Sequence, residues 1–164
     1  MGDALSEFGK IYDTHAPRLF RYIYHRLGDQ AVAEDLTSEV FVRFLDARAT
    51  PDNLAAFLFR IAHNLVVDYL RRKRPAPLFD TIPATQGDPA RLAEIEMERA
   101  RLRRTIARLA PDQQQVIVLK FLEDLTNDEI ARVIGKSVDA VKALQYRGLA
   151  TLRDLLAAEQ ERTK

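Results

Sequence analysis

The chain has no cysteine, no long apolar run and almost no excess charge of either sign. Without cysteine it can have neither a disulfide framework, nor a cysteine-ligated zinc site, nor a thiol nucleophile. Residues 116–119 form its longest aliphatic run, far too short to span a bilayer, and the N-terminus lacks the basic start and apolar stretch of a secretion signal. These absences predict a globular, cytoplasmic protein with no membrane insertion.

A net charge of +1 excludes a uniform positive coat, so any nucleic-acid binding must depend on where basic residues cluster. Residues 75–98 hold one basic and five acidic side chains, whereas residues 99–164 hold 13 and 9. Four of the seven prolines, together with Gly87, fall within residues 75–89, where no helical or strand period continues. We therefore predict an N-terminal domain (1–74), a flexible acidic linker (75–90) and a C-terminal domain (91–164).

Two amphipathic helices begin the N-terminal domain. Apolar residues recur at helical spacing from Phe8 to Leu27, with a break or kink expected near Pro17. Gly28 ends this run, and Asp29 can cap a second helix. The buried stripe predicted for the second helix is Val32, Leu36, Val40, Phe41 and Phe44. The residues predicted outside that stripe are Glu34, Asp35, Glu39 and Arg43.

A third helix follows a loop at residues 48–53, where Asp52 or Asn53 can act as the cap. It ends in a basic cluster, residues 71–74, just before Pro75. Its predicted apolar face is Leu54, Phe57, Leu58, Ile61, Leu65 and Tyr69. Its opposite face is Arg60, Asn64, Val67, Arg71 and Arg74. Arginines interleaved with an amide can contact phosphates and a base edge, although an ordinary solvated helix face is the alternative.

Residues 126–148 have the pattern of a helix-turn-helix. Thr126 and Glu129 form a capping box, Gly135 ends the first helix after the small Ala131, and Ser137 can cap the second. The second helix is predicted to direct Val138, Val141, Leu144 and Leu149 to the core. Its exposed residues are Asp139, Ala140, Lys142, Ala143, Tyr146 and Arg147. A plain helical hairpin is the alternative to a DNA-reading motif.

These segments resemble a family, the sigma factors of bacterial RNA polymerase, and within it the two-domain extracytoplasmic-function (group 4) class. Residues 33–41 resemble the polymerase-docking part of sigma region 2.2, and residues 57–72 resemble regions 2.3 and 2.4. Residues 109–119 resemble the opening of region 4, and residues 125–152 resemble region 4.2. The resemblance implies an all-α protein in which a three- to four-helix region 2 bundle is joined by a flexible linker to a region 4 domain.

The resemblance also implies three sets of site residues. The core polymerase-binding set is Glu34, Asp35, Leu36, Glu39, Val40 and Arg43. The set for the −10 promoter element is Arg48, Asp52, Asn53, Arg60, His63, Asn64, Asp68, Arg71, Arg72 and Arg74. The set for the −35 element is Lys136, Ser137, Asp139, Ala140, Lys142, Ala143, Tyr146 and Arg147.

The implied partners are core RNA polymerase, promoter DNA and an anti-sigma factor, with no cofactor and no enzymatic activity. The polymerase contacts would be the clamp helices of the largest subunit and the flap of the second-largest. The two DNA-binding domains, held apart by the linker, would engage their elements when core polymerase spaces them. The recognition helix departs from the family pattern at five positions, which leaves the −35 sequence open. These positions are Asp139, Ala140, Ala143, Leu144 and Gln145.

Three alternatives come from other classes of protein. A stand-alone helix-turn-helix regulator is the main one, although the N-terminal helices show neither a ligand-binding motif nor heptads. A decoy that binds only an anti-sigma factor would not need the basic stripe on the third helix. An enzyme is disfavoured because the sequence has no phosphate loop or nucleophile elbow, and His15, His25 and His63 are isolated along it.

Overall fold

The computed structural model describes residues 2–72 and 88–164, which form seven α-helices and no strand. The all-α prediction is therefore confirmed for this part of the chain. The helices are α1 (Gly2–Leu27), α2 (Gln30–Ala47), α3 (Leu54–Arg72), α4 (Pro89–Ala107), α5 (Pro111–Ile117), α6 (Asn127–Ile134) and α7 (Val138–Thr163). A π-helical turn, Val118–Leu122, extends α5. Residues 75–87 of the predicted linker lie outside the described residues, and α4 begins at Pro89.

The first helix runs through Pro17 instead of breaking there. A proline removes one backbone hydrogen bond, but Ala16 and Leu19 on either side are both buried in the core and hold the two halves of the helix. Gly28 ends the helix with a φ of 70°, as predicted. Asp29 caps α2, its carboxylate accepting a hydrogen bond from the Val32 amide at 3.1 Å.

The buried face of α3 is rotated from the predicted one. Leu58 and Leu65 are buried as expected, but Leu54, Phe57, Ile61 and Tyr69 are only partly buried. The remaining buried residues of α3 are Ala56, Phe59, Ala62 and Val66. The reason is that α3 packs against α1 and α2 on one side and against α6 on another, so more than one stripe is covered.

The helix-turn-helix forms by the local signals read from the sequence. Thr126 Oγ1 accepts from the Glu129 amide at 3.2 Å, and Glu129 Oε1 accepts from the Thr126 amide at 3.0 Å, which completes the capping box. Gly135 ends α6 with a φ of 69°. Ser137 Oγ caps α7 by accepting from the Ala140 amide at 3.1 Å. Helix α6 thus lies between its Thr126 cap and Gly135, and α7 begins after its Ser137 cap and continues beyond residue 148 to Thr163.

One position of α7 was predicted wrongly. Leu149 is 43% exposed, whereas Gly148 is buried against α5. The positions at 141, 144 and 148 keep helical spacing on the inner face, and residue 149 lies one step beyond it. A Cβ on Gly148 would lie 3.0 Å from Ile117 Cγ1, so the missing side chain lets α7 approach α5 closely.

The two domains are not held apart in this structure. Helix α6 packs against α3, and the π-helical turn packs against α1. We call this contact region, between α1 and α3 on one side and residues 110–134 on the other, the interdomain seam. It places the helix-turn-helix directly beside the predicted −10 surface.

Candidate nucleic-acid and protein interfaces

Helix α2 presents a surface that is both acidic and apolar. Glu34 and Asp35 are exposed, and Glu39 Oε1 pairs with Arg43 Nε at 3.1 Å. Val42 and Leu45, which the sequence analysis did not select, are 50% and 54% exposed and adjoin this face. The sequence did indicate them, because Val42 and Leu45 are apolar, lie three positions apart on one helix face and fall outside the core stripe. An acidic face with apolar neighbours suits docking against another protein's helices.

Val40 was predicted to belong to this docking surface, and the structure contradicts that. The side chain of Val40 is completely buried in the core of the N-terminal domain. Leu36 is partly buried and keeps some exposed area. Val40 therefore supports the docking surface from beneath, because its branched side chain packs inward with Phe41.

The loop at residues 48–53 is shaped by its two ends. Arg48 adopts a left-handed conformation, φ 48°, and closes α2 with its amide donating to the Leu45 carbonyl at 3.3 Å. Asn53 caps α3, its Oδ1 accepting from the Ala56 amide at 3.0 Å. The loop edges a cavity of about 150 Å³, which also touches Phe57 and Arg60. Of the two cap candidates, the structure selects Asn53.

The polar stripe of α3 faces solvent along one side of the helix. Of its predicted members, Arg60, Asn64 and Arg71 are exposed, whereas Val67 is partly buried. Asp68 and Arg72, which belong to the predicted −10 set, are also exposed. Arg74 lies outside the described residues. This stripe places two guanidinium groups and an amide where a nucleic-acid strand could lie along the helix.

His63 has a different setting from the rest of the stripe. Its Nδ1 lies 3.4 Å from the hydroxyl oxygen of Tyr22, and the ring is partly buried. Burial, with a smaller contribution from the positive charge of Arg26, lowers the pKa of His63 to about 4. The ring is therefore neutral at neutral pH. In the protein without DNA, His63 therefore adds no positive charge to the stripe at neutral pH.

Helix α7 presents its first turns to solvent. Lys136, Ser137 and Asp139 surround its N-terminus, where backbone amides and the helix dipole favour an anion. Lys142, Ala143 and Arg147 are exposed further along, and Tyr146 is 78% exposed. Ala140 is partly buried. Of the predicted −35 set, all but Ala140 thus lie on the open surface.

The interdomain seam contains a buried carboxylate that the sequence analysis missed. The side chain of Glu123 is fully buried, and its Oε2 lies 3.5 Å from Arg21 Nη2 and 3.8 Å from Arg18 Nε. Arg18 Nη2 also donates to the Glu123 carbonyl oxygen at 2.6 Å. Burial raises the pKa of Glu123, and the two arginines offset only part of that effect. The partners are more than 100 residues apart in sequence, so no local pattern indicated the contact.

A second contact of the seam joins the 48–53 loop to the helix-turn-helix. Asn53 Nδ2 donates to Glu129 Oε2 at 3.0 Å, and Arg132 Nη1 lies 3.5 Å from Asp52 Oδ2. Burial alone would raise the pKa of Glu129, but hydrogen bonds from Thr126 and Asn53 outweigh it and lower the pKa. Two residues of the predicted −10 set are thus already bonded to the C-terminal domain.

Two absences concern the described ranges only. Among residues 2–72 and 88–164, no group of three His, Asp or Glu side chains is placed to hold a metal ion. Within the same ranges, none of the helices combines the length and apolar character needed to cross a membrane.

Two family models match the chain, one for each domain. The Sigma-70 region 2 model matches residues 11–76, and the Sigma-70 region 4 model matches residues 99–152. The first covers most of α1 with α2 and α3, and the second covers α5, α6 and the helix-turn-helix. The two matches, with the all-α fold, define a protein of the sigma-70 class with regions 2 and 4.

Individual relatives narrow this class. The chain is 38% identical over 163 residues to the ECF RNA polymerase sigma factor BldN of Streptomyces coelicolor, covering 91% of this chain and 60% of BldN. It is 32% identical over 162 residues to the RNA polymerase sigma-E factor of the same species, covering 96% and 90%. The chain belongs to the extracytoplasmic-function family of RNA polymerase sigma factors. It spans less than two thirds of BldN and 65% of SigE from Mycolicibacterium smegmatis.

Solved structures share the fold over both domains. CnrH, in complex with the cytosolic domain of CnrY, is 27% identical and superimposes with a TM-score of 0.72 over 92% of this chain and 88% of that chain. RpoE from Bartonella quintana, in complex with the anti-sigma factor NepR, has a TM-score of 0.71 at 19% identity, covering 92% and 97%. At 19% identity, the similarity to RpoE shows a shared fold only.

Proposed function

We propose that this chain is a transcription initiation factor that binds core RNA polymerase and directs it to specific promoters. The observation that carries the proposal is the presence of two exposed polar helix faces, one on α3 and one on α7, in two different domains of one chain. A duplex read at two separated elements requires two such faces. Neither face needs to bind tightly alone, since linkage through the polymerase makes weak modules jointly strong.

The α3 face, with the loop at residues 48–53, is assigned to the −10 element. Asn64 is exposed at the middle of the stripe and can bond a base edge, while Arg60 and Arg71 can neutralise phosphates. An unstacked base costs a few kcal/mol to extrude, so a surface that captures it favours the melted duplex without any chemical reaction. This role requires neither a cofactor nor catalysis, and we propose that the protein is not an enzyme.

The start of α7 is assigned to the −35 element, and the α2 face to core polymerase. On α7, Lys142 and Arg147 are placed to bind phosphates. Asp139 lies in the first turn, where the helix dipole stabilises its negative charge. On α2, the acidic pair Glu34 and Asp35 beside exposed Val42 provides charge and apolar area for the clamp helices of the largest subunit. The flap of the second-largest subunit would meet the C-terminal domain. We propose that the protein acts in the cytoplasm, because its proposed partners, the polymerase and promoter DNA, are found there.

An anti-sigma factor is the remaining proposed partner. CnrH, the 27% identical neighbour, was solved with the cytosolic domain of CnrY, and its fold matches this chain over both domains. The exposed apolar residues of α2 and of α4, such as Leu45 and Met97, give a covering protein area to bury.

Run-off transcription tests the proposal. Purified protein is mixed with bacterial core RNA polymerase and a pool of genomic fragments, and the 5′ ends of transcripts are mapped. Initiation at defined sites that depends on the added protein is expected, and the aligned sites give both promoter elements. Specific retention of duplexes with no initiation and no co-elution with core would instead establish the stand-alone regulator.

A further inference from the structure

We propose that the groove between α3 and the start of the C-terminal domain is a binding site for a nucleotide, a small molecule that joins a phosphate to a flat base. The groove has a volume of about 470 Å³, within the range of about 300–1,000 Å³ that small-molecule sites occupy. Residues of α1, α3, α5, α6 and the turn before α7 line it. This site is separate from the proposed transcription function, and its ligand can be tested on the protein alone.

Three cations line the groove, and among the described residues one carboxylate opposes them. Arg26, Arg71 and Lys136 come from α1, α3 and the turn before α7, so folding brings together charges that are far apart in sequence. Asp112 is the carboxylate, and its Oδ2 lies 4.0 Å from Lys136 Nζ. The ring of His63 is neutral at neutral pH. The described lining therefore has an excess of positive charge, which a phosphate group would neutralise.

Arg26 carries a charge that has no matching carboxylate. Its Nη1 donates to two neutral acceptors, the Pro111 carbonyl oxygen and Gln114 Oε1, both at 3.2 Å. Within the described ranges Arg26 forms no ion pair, and its buried Nε has no hydrogen-bond partner. Arg26 belongs to none of the proposed DNA-binding or polymerase-binding sets. Its charge is therefore available for the phosphate of a ligand.

Gln115 gives the wall of the groove an unsatisfied oxygen. The residue is 5% exposed, and its Nε2 donates to Asp112 Oδ1 at 3.1 Å. Its Oε1 has no hydrogen-bond partner among the residues that the structure describes. A buried polar atom without a partner is destabilising, and a ligand donor removes that cost once the amide turns towards the groove. The amino groups of nucleobases are donors of this kind.

The apolar part of the lining suits a base. Val67, Leu70 and Ile134 line the groove and are partly buried, so each exposes some apolar surface. The neutral ring of His63, whose Nδ1 lies 3.4 Å from the Tyr22 hydroxyl oxygen, adds a flat surface. Bases stack on flat rings, and small-molecule sites combine such apolar walls with a few polar groups. The lining therefore fits a nucleotide better than a bare anion.

Isothermal titration calorimetry with GDP and with ADP, at about 0.15 M salt and without magnesium, measures the affinity. We expect one saturable site with a Kd below about 1 mM for at least one of the two nucleotides. Pyrophosphate, which lacks the base, and the two nucleosides, which lack the phosphates, should each bind at least about tenfold more weakly. The absence of saturable nucleotide binding would overturn the proposal. Pyrophosphate binding as tight as that of the nucleotides would overturn the role of the base.

Arg26→Gln removes the unpaired charge and should weaken nucleotide binding about tenfold. Arg153→Gln is the matched control, because it removes the same charge from an exposed position of α7 that pairs only with its neighbour Asp154. It should bind the nucleotide as the unsubstituted protein does. Equal weakening by Arg26→Gln and Arg153→Gln would mean that only the net charge of the protein matters, and would overturn the site.

A second variant separates the charge of Arg26 from its contacts with the C-terminal domain. Gln114→Ala removes one of those contacts and keeps the charge. It should leave the nucleotide Kd within about threefold, since a single neutral acceptor is lost. Weakening as large as that of Arg26→Gln would assign Arg26 to holding the domains together, and would overturn its role at the phosphate.

Asp112→Asn should improve binding, an effect that misfolding cannot imitate. It removes the one negative charge of the described lining and keeps an oxygen that can accept from Gln115. Nucleotides should bind about two- to fivefold more tightly, as expected for the loss of one partly exposed repulsive charge. Unchanged or weaker binding would contradict a phosphate beside the three cations. Thermal unfolding by circular dichroism verifies that each variant folds.

Nuclear magnetic resonance locates the bound nucleotide. The side-chain amide of Gln115 and the ring of His63 should shift during titration, whereas Tyr146, on the open surface of α7, should not. Shifts confined to Lys142, Tyr146 and Arg147 would mean that the nucleotide only imitates DNA at the proposed −35 surface. That result would overturn the groove as the binding site.

Discussion

Two partly buried histidines make the protein sensitive to mild acid. Burial, with positive charge from Arg103 and Arg21, lowers the pKa of His25 to about 4, and burial lowers the pKa of His63 to the same value. In the unfolded chain both pKa values return to about 6.5. As the pH falls below 6.5, the two histidines become protonated in unfolded molecules but stay neutral in folded molecules. The stability that the two neutral rings contribute is fully present above pH 6.5 and is lost as the pH falls towards 4.

The size of the loss follows from the two shifts. Each is about 2.5 pKa units, and one unit is worth about 1.4 kcal/mol, which gives an upper value of about 3 kcal/mol for each ring. Both rings keep some contact with solvent, so we expect about 1–2 kcal/mol each. The raised pKa of Glu123 acts in the opposite direction, because protonation of that carboxyl favours the folded state at low pH. The net loss between pH 6.5 and 4.5 should be about 2–3 kcal/mol.

Urea unfolding at intervals from pH 7.5 to 4.5 measures this loss. The free energy of unfolding should be flat above about pH 7 and fall below it. His25→Gln should flatten part of the fall, since glutamine does not titrate. Glu129 and Glu159, whose pKa values are lowered, act mainly below pH 4.5 and do not account for it. A profile that stays flat from pH 7.5 to 4.5, or is unchanged by His25→Gln, would refute the reasoning.

Three further substitutions test other parts of the structure. Thr126→Ala removes one half of the capping box and should lower the free energy of unfolding by about 1 kcal/mol in urea, whereas an unchanged value would mean that the cap is not used in solution. Gly148→Val inserts a branched side chain where a Cβ alone would lie 3.0 Å from Ile117 Cγ1. It should lower the free energy of unfolding by about 1–3 kcal/mol in the same assay, and a neutral result would show that α7 and α5 are less tightly packed. Arg71→Ala should lower the salt slope of promoter binding by about one unit, and an equal slope would remove Arg71 from the phosphate contacts.

Features set by neighbouring residues were predictable from the sequence. The capping box of Thr126 and Glu129, the left-handed Gly135 and the Ser137 cap all depend on residues within a few positions of one another. The all-α architecture followed from helical spacing. Arg60, Asn64 and Arg71 are exposed as their helical spacing predicted, whereas Val67, predicted on the same face, is partly buried.

Features set by packing between distant segments were not predictable in the same way. Leu149 was expected in the core but is exposed, because close packing of α7 on α5 puts Gly148 at the inner position instead. Val40 was placed in the buried stripe by its helical spacing and in the docking set by the family resemblance, and its complete burial agrees with the spacing. Glu123 has no signature in its neighbours, since its partners lie on α1. The contacts of the interdomain seam could therefore be identified only from the folded structure.

The central claim is that polymerase binding and promoter reading reside on different surfaces of this chain. Asp35→Ala and Asn64→Ala test it, since both side chains are exposed and belong to α2 and α3 respectively. Each variant is measured for co-elution with core polymerase and for run-off initiation. The account predicts that Asp35→Ala loses co-elution, while Asn64→Ala retains co-elution and loses initiation. Equal loss of both activities in both folded variants, or full activity in both, would contradict it.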